Sequence, residues 1–318
     1  MGTVLRAKKL LIIGTRKSDL AIWQANYVKR EIEKKNKNVG IKLKYIVTEG
    51  DKIKDKALSK IGGKGLFTKE LEVALLNGEI DMAVNSLKDM LTTLPRGLRL
   101  SAVTARHHAE DVLIAGKKGM TIEKLPYNAV VATGSLRRKS FLLHLRPDIK
   151  VVELRGNVTS RIKKFETSDW DAIILARAGV ERLKLGKYIS SVIPKDLMMP
   201  AVGQGALAIE TASKNKFAGE IVRSINHENT YCSILAERAF LKTLEGGCQA
   251  PIGAFAEVGS NGLYLDGVVG SLDGRITFRK RIKGKKSEAE KLGKQLALDL
   301  KKAGADELLN QIYSQKRN

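Results

Sequence analysis

The sequence predicts an α/β protein built on mixed or parallel sheets with helices on both faces, followed by a separate C-terminal domain. Two observations carry the α/β reading. Short β-branched and aliphatic runs alternate with amphipathic helical patterns, and 318 residues with 43% hydrophobic side chains provide material for two or three cores. The third observation is a change of texture after about Ser224, from alternation to a long helix, a glycine-rich loop, three strand-like segments and a lysine-rich helix.

In order, Leu10 to Ile13 form the first strand. Ser18 is placed to accept a first-turn N–H of the next helix, whose Trp23, Tyr27, Val28 and Ile32 recur at helical spacing. Alternating Ile41, Leu43, Tyr45 and Val47 mark a strand with one buried face. A helix through Leu71, Ala74 and Leu75 stops at Gly78. Further strands fall at Ile80 to Val84, Leu98 to Val103, Val112 to Ala115, Val130 to Thr133, Val151 to Leu154, Ala172 to Leu175 and Leu207 to Ile209. A helix from Tyr231 to Leu244, the loop around Cys248, three strand-like segments ending near Ile282 and a helix from Ser287 to Lys302 complete the chain.

A formal charge of +23 at pH 7 predicts a positive potential that attracts polyanions. Aromatic residues are only 5% and no recognised nucleic-acid motif occurs, while many lysines, as in Lys29 to Lys37 and Lys285 to Lys302, fall on solvated helix faces. The sign of the charge does not name the partner, and a small molecule rich in carboxylates stays open as the anion. Two cysteines, Cys232 and Cys248, are too few for a disulfide framework, and none of the four histidines stands at metal-ligand spacing with them. A reducing compartment and no metal are expected. The apolar run Leu10 to Ile13 is too short for a signal-peptide core, Arg6 stands where a myristoylation signal needs Ser or Thr, and no long apolar stretch occurs. A cytoplasmic protein without a membrane anchor is expected.

The polar constellations sit just after predicted strands: Arg16 and Ser18; Ser86, Lys88 and Asp89; Ser135, Arg137 and Arg138; then Arg155 and Arg182. In open α/β sheets ligands bind beyond the carboxyl ends of strands, and several guanidinium forks beside helix N-termini suit a ligand with multiple carboxylates. Each arginine alone also reads as a surface residue; the repetition at equivalent positions favours binding. Asp89 is the lone acid in this basic set, suited to stabilising positive charge or exchanging a proton with an amine, although taken alone it reads better as a surface acid capping a turn.

Cys248 lies in Leu244-Glu245-Gly246-Gly247-Cys248-Gln249-Ala250-Pro251, where paired glycines and a following proline shape a loop that presents one sulfur. A covalent role and a small apolar side chain buried in a turn both fit. Gly62-Gly63-Lys64-Gly65-Leu66-Phe67 lacks the Gly-Lys-Ser/Thr ending of a phosphate loop, and Ala201-Val202-Gly203-Gln204-Gly205 fails the dinucleotide pattern. Neither a Gly-x-Ser-x-Gly elbow nor a His-Glu-x-x-His helix occurs.

Taken together, Gly14-Thr15-Arg16-Lys17-Ser18, Gly62 to Phe67, Ser86-Leu87-Lys88-Asp89, Gly134-Ser135-Leu136-Arg137-Arg138, Leu154-Arg155-Gly156-Asn157-Val158, Pro200 to Gly205 and Glu245-Gly246-Gly247-Cys248-Gln249 resemble the porphobilinogen deaminase family. The motifs stand in the family's order from about residue 10 to 255; the last sixty residues match only in general character. The resemblance implies three domains: two periplasmic-binding-protein-like lobes with mixed sheets, at 1–104 with 206–223 and at 105–205, and a smaller C-terminal α+β domain at 224–318 that carries the cysteine.

It also implies hydroxymethylbilane synthase activity, a transferase reaction of haem and porphyrin biosynthesis that joins four porphobilinogen molecules head to tail with loss of ammonia. Each pyrrole bears an acetate and a propionate, which gives the arginines a purpose that nucleic-acid binding does not. By position, Cys248 holds a dipyrromethane cofactor through a thioether, keeping a reactive chain attached between additions. Asp89 assists departure of ammonia and stabilises the azafulvenium cation, with Lys88 beside it. Arg16, Ser18, Ser86, Lys64, Ser135, Arg137, Arg138, Arg155, Arg161 and Arg182 hold cofactor, substrate and chain, and Gln24, Thr133 and Gln204 are further candidates. Lys60 to Phe67 is similar to the family's loop over the active site. A monomer is the family expectation.

Two departures stand out. Asn85 occupies a position where the family usually has His, and Met90-Leu91 replaces a common Val-Pro, which frees φ and adds a backbone N–H after Asp89. Two other classes remain to be discriminated: a noncatalytic carboxylate-binding protein, which needs the arginines but not Cys248 with Asp89, and a basic nucleic-acid binder, whose affinity is steeply salt-dependent.

Overall fold

A computed structural model describes residues 9–52, 65–246 and 250–314. Along the chain run β1 (Lys9–Thr15), α1 (Asp19–Lys35), β2 (Val39–Tyr45), the short α2 (Glu49–Lys52), α3 (Lys69–Leu76), β3 (Met82–Ser86) and β4 (Leu98–Val103). Then come β5 (Asp111–Ala115), β6 (Val130–Ala132), α4 (Leu136–Leu145), β7 (Lys150–Val152), α5 (Val158–Glu166), β8 (Ala172–Ala176), α6 (Arg177–Arg182) and β9 (Ser191–Ile193). The remainder comprises β10 (Leu207–Ala212), α7 (Lys216–Arg223), α8 (Glu228–Thr243), β11 (Ile252–Gly259), β12 (Gly262–Gly270), β13 (Thr277–Gly284), α9 (Ala289–Leu300) and α10 (Asp306–Ser314).

Contacts divide the described residues into two units, 9–52 with 65–106 and 206–231, and 107–205 with 232–246 and 250–314. The first unit holds a five-stranded sheet in the order β2-β1-β3-β10-β4. β1 runs parallel to β2 and β3, whereas β10 runs antiparallel to β3 and β4. The spacing of Ala25, Val28 and Ile32 turns one stripe of α1 onto Leu11, Ile13, Val39 and Ile41. Leu71 and Leu75 of α3 pack with Ile80 and Leu98 in a separate cluster. Each fully buried aliphatic side chain contributes roughly 1.5–3 kcal/mol of transfer free energy.

The second unit contains a five-stranded sheet, β7-β6-β8-β5-β9, and a three-stranded antiparallel sheet, β11-β12-β13. Alternation decides which face each residue of β5 serves. Leu113 joins Val131, Phe141 and Ile174 in one core, while Val112 and Ile114 join Ala132, Ile173 and Leu175 in the other. Phe240 of α8, with no exposure, packs with Leu263 and Leu265 of β12 and with Leu296 of α9.

The five-stranded sheets share a plan: three parallel strands, then one antiparallel to its neighbours, then an edge strand. Apart from the short α2 before α3, a strand, a helix, a strand, a helix and a strand succeed one another in each, with β6-α4-β7-α5-β8 repeating the pattern of β1-α1-β2-α3-β3. Ser18 before α1 and Ser135 before α4 therefore occupy equivalent strand-to-helix turns. The expected mixed α/β organisation and a smaller C-terminal sheet-and-helix assembly are both present.

Ser18 caps α1 as expected, accepting from Ala21 N, and the anticipated strands appear within a few residues of their expected ends. Three-residue β9 escaped notice because its single exposed Val192 between Ser191 and Ile193 is too short for a period. The helix expected from Ser287 to Lys302 ends at Leu300, where a wider turn, Lys301–Ala305, leads into α10.

Candidate active-site elements in the two units

In the first unit, Arg16 follows β1 and donates from Nε to both carboxylate oxygens of Asp51 at 3.1 Å. Its guanidinium also lies 4.2 Å above the centre of the Phe67 ring. A Cβ at position 50 would overlap that ring, so Gly50 is what lets Phe67 lie against α2. Burial opposes ionisation of Asp51, but hydrogen bonding and charge from Arg16 outweigh it and hold the carboxyl below its usual range.

β3 delivers the next group. Ser86, its last residue, accepts a 2.7 Å hydrogen bond from Nε2 of Gln24, which is buried on α1. Leu87–Asp89 forms one 3₁₀ turn, closed by Met90 N donating to Leu87 O at 3.1 Å. Leu87 is buried and anchors the turn, whereas Lys88 is half-buried and Asp89 exposed. The Asp89 side chain has no hydrogen-bond partner among the described residues. Asn85, where the family resemblance calls for His, is buried and donates from Nδ2 to Glu210 Oε1 at 3.4 Å.

In the second unit, Thr133 follows β6, and its Oγ1 accepts from Ser135 N at 3.3 Å. Ser135 in turn caps α4 by accepting from Arg138 N. Arg137 and Arg138 then point into the protein: Nη2 of each donates to Asp111, at 2.7 and 2.8 Å, with Met199 O and Ile174 O taking further N–H groups. Both arginines are 5% exposed and Asp111 is 0% exposed. Gln204 Nε2 adds bonds to Asp111 Oδ1 at 3.0 Å and Ala109 O at 2.6 Å. Burial alone would raise the Asp111 pKa, but the two guanidinium groups bring it down to about 2. Burial also pulls Arg137 below the ordinary arginine value, opposed by Asp111.

Gly205 has φ 88°, and a Cβ there would stand 2.5 Å from His107 O, so the Pro200-to-Gly205 motif needs glycine at its end. Its carbonyl accepts from Arg182 Nη2 at 2.8 Å, and Glu237 holds the same turn through Gly203 N at 2.8 Å. Arg155 lies between β7 and α5, half-buried, with Nη1 buried and without a hydrogen-bond partner. Arg161 is half-buried on α5, and Arg182 is buried as the last residue of α6.

Lys60, Lys64 and Cys248 lie outside the described residues. Cys232 is buried on α8. Three residues with structural consequence were missed in the sequence: Asp51, Asp111 and Glu237. Asp111 left one signal, an acid opening a wholly apolar strand, which requires a buried counter-charge.

Residues 11–220 match the family model "Porphobilinogen deaminase, dipyromethane cofactor binding domain", and residues 231–302 match "Porphobilinogen deaminase, C-terminal domain". A porphobilinogen deaminase from Chloroherpeton thalassium is 47% identical over 309 residues, 96% of this chain and 98% of the relative. One from Carboxydothermus hydrogenoformans is 48% identical over 305 residues, again 96% and 98% of the two chains. A TRAP periplasmic solute binding protein from Desulfovibrio salexigens aligns with TM-score 0.43 and 10% identity, covering 69% of this chain and 73% of its own. Two family models in succession and near-full-length identity close to one half converge on one conclusion: the chain belongs to the porphobilinogen deaminase family.

Proposed function

We propose that this chain is a hydroxymethylbilane synthase, the transferase that joins four porphobilinogen molecules into a linear tetrapyrrole with release of ammonia, using a dipyrromethane primer thioether-linked to Cys248. The observation that carries the proposal is the match of residues 11–220 to the family's cofactor-binding domain. The residues present fit such a group. Arg155 Nη1, buried without an acceptor, suits an acetate or propionate oxygen, because a buried guanidinium N–H left unpaired is costly.

When bound, the dipyrromethane supplies the nucleophilic pyrrole carbon from which the product grows. Asp89 holds substrate pyrrole N–H groups and offsets the positive charge that develops as ammonia leaves, a task suited to an exposed carboxylate without a side-chain partner among the described residues. The 3₁₀ turn fixes its backbone, and Lys88 assists beside it. Arg155, Arg161 and Arg182 bind carboxylates, with Ser18, Ser86, Thr133, Ser135 and Lys64 in supporting contacts. Arg16 joins them by exchanging Asp51 for ligand, with Phe67 and Lys60 in the covering loop. Arg137, Arg138 and Gln204 act through Asp111, which positions the start of α4.

The division into 1–104 with 206–223, 105–205 and 224–318, a monomeric state, a cytoplasmic location and indifference to nucleic acid belong to the same proposal. Among the described residues no helix is long and apolar enough to cross a membrane. Supplying porphobilinogen to the purified chain and measuring substrate loss against ammonia tests the reaction. Equimolar ammonia with a linear tetrapyrrole product is expected; binding without ammonia release would favour a carboxylate-binding protein.

A further inference from the structure

We infer that His107, His108 and Glu181 form a binding site for one divalent transition-metal ion of the zinc class. His107 Nδ1 stands 3.4 Å and His108 Nε2 3.9 Å from the same oxygen, Glu181 Oε2. One ligand atom from each residue lies within 4.8 Å of the others. Bonds of about 2.0–2.2 Å to zinc place tetrahedral ligand atoms about 3.3–3.6 Å apart, so the first pair already has that spacing. A small rotation of the exposed His108 ring closes the second. The imidazoles meet edge to face, at 85° between their planes, and are not stacked.

The surroundings orient all three groups. Glu181 Oε1 accepts from Arg177 Nε at 2.7 Å, which fixes the carboxylate and leaves Oε2 to the imidazoles. Glu110 Oε2, buried and without a hydrogen-bond partner, lies 3.8 Å from His108 Nδ1. At that distance the two do not hydrogen-bond, but the acid stands on the side of the far ring nitrogen, where the outer shell of carboxylate–histidine–metal sites places one. Two carboxylates, Glu110 and Glu181, balance the nearby cations Arg177 and Arg182.

A bound ion would tie the segment leading into β5 to α6, the helix that carries Arg182, and leave a fourth position for water. Sequence reading missed the site because it weighed the histidines against the cysteines, whereas the third ligand is a glutamate far along the chain.

The test is zinc retention by the intact, cofactor-loaded protein after exposure to zinc sulfate and desalting. One zinc per chain is expected. Loss of an outer-shell partner alone costs roughly 10–100-fold in metal affinity, so His107→Asn with His108→Asn is expected to weaken binding by more than about 100-fold. No retained zinc in the parent protein, or equal retention in the double variant, would overturn the assignment. Cobalt(II) spectra of the parent protein give a readout that needs no variant. Tetrahedral d–d bands without thiolate charge transfer support the site, and a thiolate band would place the metal on cysteine and overturn it.

Discussion

Asp111 Oδ2 accepts a 2.7 Å hydrogen bond from Arg137 Nη2, and this pair is almost wholly removed from solvent. The Gly-Ser-Leu-Arg-Arg motif thus sets both of its guanidinium groups, those of Arg137 and Arg138, against one carboxylate of the protein and joins α4 to β5 and to Gln204. Removing one partner from such a cluster is far more damaging than the net worth of the pair, because the remaining charges stay buried.

Asp111→Asn is therefore expected to cost about 3–5 kcal/mol in urea unfolding. The sign with pH follows from a native pKa of about 2 against 3.8 unfolded: the aspartate's contribution is complete above 3.8 and is lost as pH falls toward 2. The gap between parent and variant should narrow over that window. A gap that stays constant on acidification would remove Asp111 from this role.

Gly205→Ala should be destabilising by about 1–3 kcal/mol, since a side chain must adopt φ 88°, and the crowding at His107 O adds to that cost. The expected reading is a lower denaturation midpoint with an unchanged m-value. An unaltered midpoint would mean that the turn relaxes freely.

Arg155→Leu and Asp89→Asn separate binding from chemistry. The first removes a buried N–H group that lacks an acceptor, and should leave the fold intact while lowering kcat/KM or cofactor loading by about 10–100-fold. The second should retain the attached cofactor and lower kcat by roughly 10²–10⁴-fold. Parental kinetics with full loading in Arg155→Leu would count against carboxylate clamping, and substantial turnover in Asp89→Asn would displace that residue from the centre of the mechanism.

Local rules made much of the fold legible. Ser18 is a cap because its hydroxyl can serve an unpaired helical N–H, and β4 follows from one unbroken run, Leu98–Val103. The arginines were legible as residues but not as partners. Arg16 meets Asp51 across 35 positions, and Arg137 meets Asp111 across 26, so the chemistry that engages them depends on tertiary pairing that no local pattern encodes. Arg155, by contrast, keeps a buried N–H without an acceptor, as a ligand-binding group does.

The most direct measurement is the intact mass of the purified protein followed by peptide mapping around Cys248. A two-pyrrole adduct on that sulfur is the result the account requires. An unmodified Cys248 that stays unmodified after incubation with porphobilinogen or preformed hydroxymethylbilane would contradict it.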